Sequence, residues 1–164
     1  SPHLFYKRMK ASTIAELKKE LQLLPQKQLV AHCIRMAQFK VMNKELLSYL
    51  LFEQNDEQQF VDNVMEEMDA MFKEINSSNS FFLLKKSIRK ILRHTHKHIK
   101  FSQIKTTEIQ LLMHFCQSLK NLNIGFEENK VLLNMYNAQV KKIHKAMQFL
   151  HPDERLDYNA SLKL

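Results

Sequence analysis

Apolar residues recur along this chain at intervals of three and four, the period of an amphipathic helix, over almost its whole length. Thr13 and Glu16 have the spacing of a capping box, and the seam Ile14, Leu17, Leu21 and Leu24 predicts a first helix of about three turns. Pro25 ends that helix and opens a second, because proline suits a first helical turn and disfavours the α conformation in the residue before it. The second helix carries Leu29, Val30, Cys33, Ile34 and Ala37 to about Lys40. Asn43 is the expected N-cap of a short third helix, whose Leu46, Leu47, Tyr49, Leu50 and Leu51 cover most of its circumference and predict burial. Asp56 with Gln59 opens a fourth, with Phe60, Val61, Val64, Met65, Met68, Phe72 and Ile75 as its inner stripe.

Asn76 to Ser80 reads as a loop. A fifth helix, from Phe81 to about Phe101, sets Phe81, Leu84, Ile88, Ile91, Leu92, Thr95 and Ile99 on one face. Thr107 with Gln110 begins a sixth, through Leu111, Leu112, Phe115, Leu119 and Leu122, and Gly125 beyond its end is expected in the left-handed region. A seventh runs from about Glu127 to Leu150 and stops at His151-Pro152, leaving a short turn and a loose tail. The fold class expected is all-α, six or seven antiparallel helices in a bundle or a short stack of helical hairpins. Self-similarity at the ~40-residue period of a helical repeat array is absent. Residues 1–11 are expected to form a flexible or appended leading segment, 12–151 one helical domain and 152–164 a C-terminal tail.

Composition sharpens this picture. One Gly and three Pro among 164 residues leave little material for hairpins, while eleven Phe and nine Met without any Trp suit an adaptable helical core. A single glycine excludes phosphate-cradling loops and dinucleotide fingerprints, and GxSxG, CxxC, HExxH and Glu-x-x-His are all missing. These absences lean the expectation away from an enzyme and towards no cofactor. No apolar run reaches the ~18 to 20 residues of a membrane span, and no charged-then-apolar leader is present, so a cytoplasmic protein without membrane attachment is expected. Cys33 and Cys116 are read as reduced core thiols.

Charge is segregated. Between Glu53 and Glu74 stand eight acids and one base, while Phe81 to Lys105 holds eight Lys/Arg and no acid, within a net charge of +8. Lys86, Arg89, Lys90, Arg93, Lys97 and Lys100 gather opposite the apolar face of the fifth helix. Two arrangements compete: flanks that touch and neutralise each other, or charged backs that face away. Helices joined by a short loop normally meet through their apolar faces, so these cations are expected to be solvated and accessible as a basic stripe. The expected function is a non-enzymatic interaction module that binds another protein, with sequence-independent nucleic-acid binding along the stripe as the alternative. Phe81, Phe82 and Phe101 cluster at the helix ends, so stacking on bases is not signalled.

Other chemistry is sparser. His94 and His98 stand at i, i+4 and have the spacing of two metal ligands, but sequence supplies no third, and His96 points elsewhere. The bland alternative is two histidines flanking a basic helix. His32-Cys33 and His114-Phe115-Cys116 put imidazole near thiol in sequence but on different faces. Asp62, Glu66 and Asp69 form an acidic row that reads equally as a solvated helix back.

Through the strings NKELLSYLLFE, KKSIRKILR and QLLMHFCQSL the chain resembles a set of uncharacterised bacterial all-helical proteins, over residues ~12 to 150. That resemblance implies a helical fold and a bacterial cytoplasmic setting, and carries over no activity and no functional residue.

Overall fold

The protein is described by a computed structural model over residues 10–161. The expected leading segment lies outside the described residues through residue 9, and so do residues 162–164 of the expected tail. The described residues form eight α-helices and no strand: α1 (Ile14–Leu23), α2 (Gln26–Phe39), α3 (Val41–Ser48), α4 (Glu57–Lys73), α5 (Phe81–Ser102), α6 (Lys105–Asn121), α7 (Lys130–Met147) and α8 (Pro152–Ser161). The eighth helix is the one the sequence reading missed. Pro152 opens it, Glu154 accepts the His151 amide at 3.3 Å, and Arg155 donates to the carbonyls of Leu150 and Gln148 at 3.1 and 2.8 Å. Those donors satisfy carbonyls left open past the end of α7, so the chain turns directly into a new helix instead of trailing away.

The chain divides into two compact units, Ser1–Leu47 and Ser48–Leu164. In the first, Thr13 caps α1 with the expected reciprocal box: its hydroxyl accepts the Glu16 amide at 3.2 Å, and the Glu16 carboxylate accepts the Thr13 amide at 2.7 Å. Those bonds hold the Glu16 carboxyl below its ordinary range. Asn43 is not the cap of α3, which starts at Val41; its amide instead donates to the Met36 carbonyl of α2 at 2.8 Å. None of the residues in α1, α2 or α3 is buried.

The expected burial of the third helix is therefore corrected. After Ser48 the backbone widens into a π turn over Tyr49–Glu53, closed by the Gln54 amide on the Tyr49 carbonyl at 2.9 Å. The turn swings Tyr49 inward against Phe60, at 4.7 Å between ring centroids, and leaves Leu50, Leu51 and Phe52 facing out. Inward placement suits Tyr49 because its hydroxyl finds an acceptor in Glu57 at 2.8 Å.

The second unit is built around α6. Ile109, Leu111, Leu112, Phe115, Cys116 and Leu119 are all sealed from solvent, and α6 packs against α4, α5 and α7. Burial of each such side chain is worth roughly 1.5–3 kcal/mol relative to exposure. Met68 from α4, Ile88 and Ile91 from α5, and Leu132 and Ile143 from α7 complete the core. The acidic helix α4 and the basic helix α5 run in opposite directions: Glu57 meets Ser102, Phe60 meets His98, and Glu67 meets His94. Asp56 caps α4 by accepting the Gln59 amide at 3.2 Å, as its position predicts.

Two boundaries differ from the pattern. α6 starts at Lys105, two residues before Thr107, because the Thr107 hydroxyl donates to Glu57 at 2.8 Å instead of capping its own helix. α7 starts at Lys130, with Asn129 accepting the amides of Val131 and Leu132 at 3.1 and 3.2 Å. The preceding residues Phe126–Glu128 form a 3-10 turn entered through Gly125 at φ 64°, where a side chain would be strained. Gln103 takes the same left-handed conformation at φ 59° to end α5, its amide donating to Ile99 at 3.0 Å.

Candidate functional site

Helix α5 positions the basic stripe. Leu84, Ile88, Ile91 and Thr95 point into the core and fix the rotation of the helix, with the Thr95 hydroxyl returned to the Ile91 carbonyl at 2.9 Å. The opposite side then carries Lys86, Arg89, Lys90, Arg93 and Lys100 exposed, and Lys97 half-buried. From Lys86 to Lys100 the row spans about 20 Å at the helical rise. Among the described residues, no ion pair engages Lys86, Arg89, Lys90 or Arg93.

The carboxylates of α4 turn to other partners. Glu57 accepts the hydroxyls of Tyr49, Ser102 and Thr107 at 2.8, 2.5 and 2.8 Å, so one side chain ties the π turn, the end of α5 and the start of α6 together. Burial, with the Glu57 hydrogen bond next, pushes the Tyr49 hydroxyl up to about 12. Asp69 lies 2.6 Å from Nε2 of His114 on α6, and Glu67 lies 2.8 Å from Nε2 of His94 on α5. Asp62 accepts from Gln58 of its own helix at 2.9 Å. The acidic row Asp62, Glu66, Asp69 thus converges on no single point, while Glu67, outside that row, reaches across to a histidine.

At its C-terminal end the stripe runs into a cleft of about 440 Å³ between α5, α6 and α7. Lys100, Lys105, Lys142 and Lys145 line it with His96 and Glu108. Lys105 is partly occupied, 3.4 Å from Glu108 and 4.9 Å above the Phe149 ring. Lys100, Lys142 and Lys145 have no described carboxylate within ion-pair reach, so the cleft is cationic. His96 points here, away from His94 and His98. The Gln139 amide donates to the Met135 carbonyl at 3.0 Å, so its oxygen is free to accept Nε2–H of His96 at 2.9 Å. Burial first, with Lys142 and Lys100 adding to it, keeps the His96 imidazole below its ordinary range despite the Gln139 bond.

His94 and His98 lie one turn apart, their rings tilted by 57° with centroids 4.4 Å apart. His98 is held between Phe60 and Phe101 at 5.8 and 5.7 Å, and its Nδ1 lies 2.8 Å from the His94 carbonyl. Burial lowers the His98 pKa, opposed by that hydrogen bond. One donor atom each from Glu67, His94 and His98 falls within 4.8 Å of the other two. Spacing on α5 showed the two histidines; Glu67 arrives through the pairing of α4 with α5.

The cysteines are not a pair of core thiols. Cys116 is buried and its thiol is pushed up to about 12 by that burial, so it stays protonated at neutral pH, whereas Cys33 is exposed on α2. His114 faces Asp69, and no thiol–imidazole contact forms among the described residues. No helix of the described residues is long and apolar enough to cross a membrane. Comparison with protein-family models, with curated proteins and with solved structures finds no match for this chain.

Proposed function

We propose that the chain is a non-enzymatic helical interaction module that binds another protein through the apolar flank of its N-terminal unit, with its helices in antiparallel hairpins. The observation that carries this is that α1, α2 and α3 contain no fully buried residue, while Ile14, Leu17, Leu21, Val30, Ile34, Met36 and Phe39 on them are exposed. Exposed large apolar side chains in that number, on helices that bury none, mark a contact surface. Ile14, Leu17 and Leu21 of α1 follow the three-four alternation of a helix–helix seam, so the fitting partner is an amphipathic helix. Between residues 10 and 47 there are seven Lys/Arg and three Glu, which favours acidic flanks on that partner.

The test is a photo-crosslinking amino acid placed at Val30 or Ile34 of the full chain in its native host. Adducts to a second protein that disappear in Leu17→Glu/Leu21→Glu are the expected result. Adducts only to a second copy of the chain, or none while an exposed α7 position such as Asn137 does yield them, overturn the proposal.

A second reading is favoured by the cationic cleft that extends the α5 stripe: a polyanion lying along α5. Fluorescence anisotropy with a labelled generic duplex then shows binding that falls steeply between about 50 and 200 mM salt. In Arg89→Glu/Arg93→Glu that affinity drops at least ~10-fold, and undiminished binding removes the stripe from the account.

A further inference from the structure

We propose that Glu67, His94 and His98 form a binding site for one divalent transition-metal ion, of the class to which zinc belongs. Three observations converge on it. The donor atoms of the three side chains already lie within 4.8 Å of one another, from two helices whose pairing is fixed by the core. Tetrahedral ligands at ~2.1 Å from a zinc ion stand about 3.4 Å apart, so the cluster closes on an ion by side-chain rotation alone.

The His98 ring is oriented as a metal-binding imidazole is. A backbone carbonyl only accepts, so the contact of Nδ1 with the His94 oxygen at 2.8 Å places the proton on Nδ1 and leaves a lone pair on Nε2. Phe60 and Phe101 both pack against the ring, at 5.8 and 5.7 Å between centroids, restricting its rotation.

The third observation is an unpartnered nitrogen. Nε2 of His94 is shielded from solvent and makes no directed hydrogen bond, although Glu67 Oε2 stands 2.8 Å away. The carboxylate is close but not aligned with that nitrogen for a hydrogen bond, and a buried polar atom left without one is destabilising. A cation seated between the carboxylate and the two rings satisfies all three donors together. Two imidazoles and one carboxylate suit zinc and its first-row neighbours, and exclude the all-oxygen sites of calcium and magnesium. The His94 side chain is 19 % exposed and Glu67 58 %, so the site opens on the Glu67 side and leaves a coordination position facing solvent.

Titration of the chelator-stripped full chain with Co²⁺ tests this, in a Cys33→Ser background that removes the exposed thiol. Expected are visible ligand-field bands that saturate at one equivalent, vanish on adding Zn²⁺, and accompany a rise in Tm. Glu67→Gln, at a largely exposed position that does not disturb the core, weakens Co²⁺ binding at least ~10-fold, and His98→Ala abolishes it. His114→Ala leaves it unchanged. Absence of bands, or bands that persist undiminished in Glu67→Gln and His94→Ala, or that depend on His114, overturns the proposal; circular dichroism of each variant separates lost ligation from lost fold.

Discussion

Phe115→Ala lowers the free energy of unfolding by about 4 kcal/mol, measured by urea denaturation followed at 222 nm. Phe115 is sealed from solvent on the central helix α6, with its ring 5.8 Å from that of Phe72 on α4. Truncation removes its transfer free energy and leaves a void among neighbours held by three other helices, which limits collapse. Against a typical domain stability of about 5–15 kcal/mol, that loss takes the second unit close to its unfolding threshold at 37 °C. A change below about 1 kcal/mol would show that α6 is not the centre of the packing.

The second large effect is at a polar residue. Glu57→Ala costs about 3 kcal/mol, because the hydroxyls of Tyr49, Ser102 and Thr107 all lose their acceptor at once. Tyr49, Ser102 and Thr107 are all buried, which keeps water from replacing the carboxylate fully. A double-mutant cycle with Tyr49→Phe isolates one arm, with coupling of roughly 1 kcal/mol, since the phenylalanine no longer needs the acceptor. If Glu57→Ala unfolds at the same urea concentration as the parent, the three hydrogen bonds contribute nothing net and the junction is held by packing alone.

Local chemistry was legible in the sequence where one helix contains both halves of an interaction. Thr13 with Glu16 and Asp56 with Gln59 lie within one turn, and both cap as their spacing says. The apolar face of α5 was equally plain, because Leu84, Ile88 and Ile91 keep a single helical period and all are buried. Contacts between helices were not. Glu57 meets Ser102 and Thr107 across 45 and 50 residues, and nothing near Thr107 shows that its hydroxyl is taken. Glu67 looked like one more solvated acid until the pairing of α4 with α5 set it beside His94. The apolar run from Leu46 to Leu51 read as a buried helix, since periodicity measures hydrophobicity and not whether a neighbour exists to cover it. The division after Leu47 leaves no trace in that run either.

The helices of the N-terminal unit are ten, fourteen and eight residues long, near or below the ~12 to 15 at which an isolated helix is marginal in water. Without buried side chains they gain little from tertiary packing, so backbone order and occupancy of the flank belong to one coupled equilibrium. Part of any contact free energy is consumed in freezing main-chain torsions. Tightness of association in this half is thus governed by intrinsic helicity as much as by the residues that touch, and alanines introduced on its solvent side would strengthen binding without adding a single contact.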